Sequence, residues 1–162
     1  MLGCRPMLTD DAYAAFKMLS SCRALELAMA DFYEELAILH GHDSGVVRLW
    51  KKTACEEMSH AAQFTLLLDT MSDQIAEVRA DATTLEKIRL AIETTREDFQ
   101  QRCPTVHDAL VAAIKFEESM GCFHADQIAV FENPHHRRLF KAMMAADNDH
   151  VGALRNALTK RP

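Results

Sequence analysis

The sequence predicts an all-α domain: a bundle of four long helices with a long crossover between the second and the third. Three observations carry that expectation. Apolar residues recur at helical spacing along most of the chain, and Gly (5) and Pro (4) are scarce against an apolar fraction of 49%. A carboxylate followed three residues later by a histidine is written twice, as Glu57-Met58-Ser59-His60 and Asp147-Asn148-Asp149-His150. Between these two copies lies a more polar stretch, Ser72 to Pro104, with no counterpart in the short link inside the first half.

The first helix starts at Thr9-Asp10-Asp11, a capping residue followed by acids suited to the positive helix end. Phe16, Leu19, Leu25, Ala28, Met29, Phe32, Leu36 and Leu39 form its apolar face. Gly41-His42-Asp43-Ser44-Gly45 ends it and makes a tight link to the second helix, read from about Val46 to about Met71. Within the polar stretch, Leu85, Ile88, Leu90, Ile92 and Phe99 predict at least one amphipathic helix. Pro104-Thr105 opens the third long helix, which carries Leu110, Val111, Ile114, Phe116, Phe123 and Ile128. Asn133-Pro134 places a cap and a first-turn proline at the start of the fourth, which runs to about Leu158. Two tight hairpins joined by one long crossover are expected.

A chain of 162 residues suits a single domain, here 1–162. A net charge of −6 argues against nucleic acid as a partner. Five cysteines contain no C-x-x-C pair, and their odd number fits a reducing compartment. The start of the chain is too short and polar for a signal peptide, and no uncharged stretch is long enough to span a membrane. A cytoplasmic protein without a membrane partner is expected.

The repeat runs deeper than the two histidine motifs. Arg48-Leu49-Trp50-Lys51 and Arg138-Leu139-Phe140-Lys141 precede them at matching distances, and Ala146 falls opposite Glu56. Upstream, Glu26 and Glu117 coincide when Glu26-Leu27-Ala28-Met29 is laid on Glu117-Glu118-Ser119-Met120. Each half thus offers one Glu on an earlier helix and a carboxylate-x-x-His on a later one. Residues at i and i+3 share a helix face, one turn apart. Glu26, Glu57, His60, Glu117, Asp147 and His150 are therefore the candidate metal ligands. Four carboxylates balance two divalent cations, and carboxylate with imidazole suits iron, manganese or zinc. Glu57 and Asp147 take bridging roles, Glu26 and Glu117 terminal ones, with one histidine for each ion. The register of the repeat prefers Glu57 to Glu56 as a ligand. Tyr33 lies two turns after Glu26 on roughly the same face, placed to hydrogen-bond a ligand carboxylate, and His124 is its mate in the second half. Glu34, Glu35 and Glu118 read as solvated charges. Cys22 reads as a buried thiol one turn before Glu26, and His40, His42, His135 and His136 as exposed histidines near turns.

The set Glu26…Glu57-x-x-His60…Glu117…Asp147-x-x-His150 resembles the di-iron carboxylate proteins of the ferritin-like superfamily. The segments Glu-Leu-Ala-Met-Ala-Asp-Phe-Tyr-Glu-Glu-Leu-Ala (26–37) and Glu-Glu-Met-Ser-His-Ala-Ala-Gln-Phe (56–64) look like the first two helices of its rubrerythrin-like branch. The resemblance implies a ferritin-like fold around two iron ions. It implies an oxidoreductase, peroxidase- or ferroxidase-like, that meets oxidative stress by reducing peroxide or dioxygen. Iron storage or handling without peroxidase turnover is the alternative. The chain has no rubredoxin module, so electrons would come from a separate donor protein, and a homodimer is expected. Met120 stands where many rubrerythrins carry a further carboxylate, and Asp147 stands in place of their Glu.

Overall fold

A computed structural model describes residues 10–70, 75–78, 82–124, 129–131 and 133–161. Its elements in chain order are α1 (Asp10–Leu39), α2 (Ser44–Thr70), β1 (Ile75–Val78), α3 (Ala82–Arg102), α4 (Val106–His124), β2 (Ala129–Phe131) and α5 (Pro134–Thr159). The protein is all-α in class: the described residues form five helices and one two-stranded ribbon.

Helix ends follow local chemistry. Thr9, read as the cap of α1, lies outside the described residues. Asp43 caps α2: its Oδ1 accepts from the backbone N–H of Gly45 (3.1 Å) and Val46 (3.0 Å). Its Oδ2 accepts from Arg161 Nη2 at 2.5 Å, which ties the far end of the chain to the first turn. Thr105 caps α4 through Oγ1, which accepts from Asp108 N, while Asp108 accepts from the same hydroxyl. Asn133 Oδ1 accepts from His135 N, and Pro134 occupies the first turn of α5, as the sequence predicts. Cys103, after α3, has a φ of 46°, the left-handed conformation that commonly ends a helix, and Pro104 bars continuation.

Helix α1 packs along α2, α4 along α5, and α3 across α1. Aromatic rings join these layers. Phe32 of α1 meets Phe116 of α4 edge to face at 5.6 Å and Phe99 of α3 at 6.1 Å. Tyr33, its neighbour, stacks on Trp50 of α2 at 5.7 Å. All but Phe99 are buried. Adjacent residues of one helix point about 100° apart, so Phe32 and Tyr33 serve two different seams of the bundle. Helix α3 buries Leu85 and Ile92 in the same core. An ion pair also clamps it to α1, with Arg96 Nη2 2.5 Å from Glu35 Oε1.

Two expectations are corrected here. The stretch between the second and third predicted helices contains a strand as well as a helix: β1 pairs antiparallel with β2, Ile75 opposite Phe131 and Val78 opposite Ala129, with a bulge between Ile75 and Glu77. And the third predicted helix is described as far as His124. Ile128, assigned to it from the sequence, lies outside the described residues, and the chain is a strand by Ala129. The second hairpin is therefore not tight. Ile75, Val78 and Val130 are β-branched and suit an extended backbone, but three or four residues show no period, and their pairing spans more than fifty residues of chain.

Candidate metal centre

Seven polar or charged residues are buried among the described residues: Glu26, His40, Thr53, Glu57, His60, Glu117 and His150. Five of these seven are candidate ligands, and they converge from four helices. Glu26 comes from α1, Glu57 and His60 from α2, Glu117 from α4 and His150 from α5. Asp147 lies on α5 one turn before His150, and its side chain, with those of 143–149, lies outside the described set.

The five form two triads, Glu26–Glu57–His60 and Glu57–Glu117–His150. In each, one ligand atom per residue lies within 4.8 Å of the others. Glu57 belongs to both. Its two oxygens divide between the halves: Oε2 is 3.4 Å from His60 Nδ1, and Oε1 is 2.9 Å from His150 Nδ1. The outer carboxylates complete the pattern, with Glu26 Oε2 3.6 Å from His60 Nδ1 and Glu117 Oε2 3.7 Å from His150 Nδ1. Both histidines turn Nδ1 inward, and their rings stack at 5.8 Å.

Burying three carboxylates together opposes their ionisation. Burial pushes the Glu57 carboxyl above the ordinary range, with the charge of Glu26 adding to it. Burial likewise raises Glu117. For the histidines, burial pulls down, but the carboxylates around them win. Glu26 and Glu57 hold His60 up to about 10, and Glu117 and Glu57 hold His150 up to about 11. Protons on the two imidazoles thus supply positive charge where a cation would. Even so, Glu57 Oε1 and Oε2 and both ring nitrogens of His150 make no aligned hydrogen bond. Glu57 oxygens and a His150 Nδ1 at contact distance but off hydrogen-bond geometry suit a third atom better than each other. The donor set fits iron, manganese or zinc.

Around the triads, Tyr33 Oη donates to Glu117 Oε1 at 2.5 Å, across 84 residues of sequence. This is the carboxylate contact expected of Tyr33, made to the other half's Glu. Its sequence mate His124 ends α4, and that side chain lies outside the described residues. Met120 is buried in the core, and so is Cys22, whose thiol burial pushes well above its usual range, the charge of Glu26 adding to it. Cys55 is exposed.

Two readings of the sequence change. His40, expected to be exposed, is buried, with Nδ1 3.0 Å from Leu36 O and Nε2 3.1 Å from Pro104 O, and so ties the end of α1 to the α3–α4 link. Glu56, set aside in favour of Glu57, reaches the site from outside: its Oε2 is 3.1 Å from His150 Nε2. A repeat register compares positions within halves, and it does not report a contact from α2 to α5.

No family model, curated protein or solved structure matches this chain.

Proposed function

We propose that this protein is a ferritin-like, rubrerythrin-like di-metal carboxylate protein that binds two iron ions and reduces peroxide or dioxygen. One observation carries the reading: two buried carboxylate–histidine triads share Glu57, which turns one oxygen to each. Glu26, Glu57 and His60 would hold one ion and Glu57, Glu117 and His150 the other, with Asp147 as a further ligand on α5. Bound iron would supply one electron per ion, so that a peroxide accepting two electrons and two protons leaves as two waters. The chain's own part is positional and electrostatic. Its buried Glu57 and Glu117 favour any state in which a cation neutralises them, and Tyr33 holds Glu117 by its hydroxyl. Burial of Glu26, Glu57, His60, Glu117 and His150 keeps bulk water from them. A separate protein would re-reduce the metal.

The test is anaerobic loading with two ferrous ions per chain, followed by one peroxide per pair. Remaining ferrous iron is then read with a chelating dye. Oxidation faster than in buffer, with two irons consumed per peroxide, is expected. A rate equal to buffer would overturn the reading. Met120, buried where many rubrerythrins carry a carboxylate, favours iron handling without turnover as the second reading. Size in solution separates the two, since storage needs a closed shell of many 18.2 kDa chains and the peroxidase reading a small oligomer.

A further inference from the structure

One carboxylate outside the centre reaches His150. Glu56 sits on α2 beside the shared ligand Glu57, but its side chain leaves the helix on another face, half exposed. Both of its oxygens lie near Lys52 Nζ, Oε1 at 2.9 Å and Oε2, which accepts a hydrogen bond from it, at 3.3 Å, an i,i+4 pair on the surface of α2. Oε2 is 3.1 Å from His150 Nε2, on the side of the ring away from Glu57 and Glu117. Carboxylates of the same helix thus lie beside both nitrogens of His150, Glu57 inside and Glu56 outside.

A neutral imidazole carries one proton on its two nitrogens, and the nitrogen without it is the one that can bind a metal. The 3.1 Å contact at Nε2 is not aligned as a hydrogen bond, but a carboxylate that close stabilises by its charge the tautomer with hydrogen there, which frees Nδ1. Nδ1 is the atom that faces the Glu57–Glu117 side. The same contact makes the ring a better electron donor and fixes its rotation. In the second half of the sequence the position that matches Glu56 is Ala146, so the carboxylate at this register is written once.

We propose that Glu56 is a positioning residue: it orients His150 and sets its tautomer, and so strengthens the Glu57–Glu117–His150 site and not its partner. The proposal rests on the di-metal reading above.

The experiment uses the full chain with Zn(II) as the probe, in the wild type, Glu56→Ala and Glu56→Gln. Stepwise binding is measured by competition with a chelating dye, and the ring nitrogens of His150 are observed by ¹⁵N NMR in the zinc-loaded protein. The wild type is expected to bind two ions with His150 protonated at Nε2. Glu56→Ala should weaken one binding step by about 10–100-fold, leave the other unchanged and lose the single tautomer. Glu56→Gln keeps a carbonyl that accepts from Nε2–H, and should restore both affinity and tautomer to within a few-fold. Melting of the metal-free variants controls for folding. Equal affinities in the wild type and Glu56→Ala would overturn the proposal. So would equal weakening of both steps, or a Gln variant no better than Ala. A wild type that binds no zinc would instead overturn the di-metal reading, and this inference with it.

Discussion

Replacing Glu57 by Gln tests the centre most directly, because that carboxylate alone belongs to both triads. The amide has nearly the same shape, so packing is preserved. In the metal-free protein two effects oppose each other. A buried carboxylate that resists ionisation is removed, and two histidines lose one partner each while keeping Glu26 or Glu117. A shift of only a few degrees in Tm is expected. With metal the outcome differs in kind. An ion present at a hundred times its Kd stabilises a folded protein by about 2.7 kcal/mol, so two ions give roughly 5 kcal/mol. In a domain of this size, 1 kcal/mol moves Tm by roughly 2–4 °C. Metal should therefore raise the wild-type Tm by about 10–20 °C. If the loss of Glu57 weakens each site about a hundredfold, the same metal concentration equals the new Kd, and each ion contributes only ~0.4 kcal/mol. The rise should shrink to roughly 2–3 °C. Differential scanning fluorimetry with manganese or zinc measures this, with the exposed Glu34→Gln as a control that keeps the full rise. A rise that survives in Glu57→Gln, or falls only by half, would refute the shared role of this carboxylate.

Metal binding should release protons, because His60 and His150 are held protonated up to about 10 and 11 without metal. Their raised values stabilise the metal-free fold fully below about 6.5, and that contribution is lost as pH rises through 10 to 11. Burial of Glu57 and Glu117 acts in the same direction, costing more as pH climbs above the ordinary carboxyl range. Metal-free Tm should thus fall with rising pH while metal affinity grows, by up to about tenfold per pH unit for each proton displaced, as calorimetry in buffers of different ionisation enthalpy would show. Tyr33→Phe removes the hydroxyl that donates to Glu117. It should cost about 1–3 kcal/mol in chemical denaturation of the metal-free protein and weaken metal binding, and an unchanged affinity would confine Tyr33 to packing. Arg96→Met should loosen α3 from α1. Arg96 holds the Glu35 carboxyl below its ordinary value, so its stabilisation is present above about pH 4.5 and is lost as pH falls through the lowered value. The Tm gap between wild type and Arg96→Met should be present at pH 7 and close on acidification.

The helices and their caps could be read from neighbouring residues, because a helix end is a local event. Asn133-Pro134 and the Asp43 turn each decide their outcome within three or four residues. The β1–β2 ribbon could not, since a strand of four residues is defined by its partner and the partner is distant in sequence. Helix α3 was legible as an amphipathic segment, but not its docking on α1 through Arg96 and Glu35. In the site, the duplicated motif and its spacing picked out five residues that converge, while the side chain of Asp147, picked with them, lies outside the described set. Glu56 was hidden for a physical reason: i to i+1 positions on a helix face apart, and only the approach of α5 gives Glu56 something to meet.

From the sequence alone came the helical class, the two halves and the chemical types of ligand. Each depends on the 3.6-residue period and on what carboxylates and imidazoles bind. The tertiary structure decided what no period encodes. It turned the two oxygens of Glu57 to different histidines, and it gave Glu117 to Tyr33 of the other half. It also set Glu56 against the outer nitrogen of His150. Those choices follow from how the helices approach one another, with Phe32 and Tyr33 of α1 packed against Phe116 of α4 and Trp50 of α2.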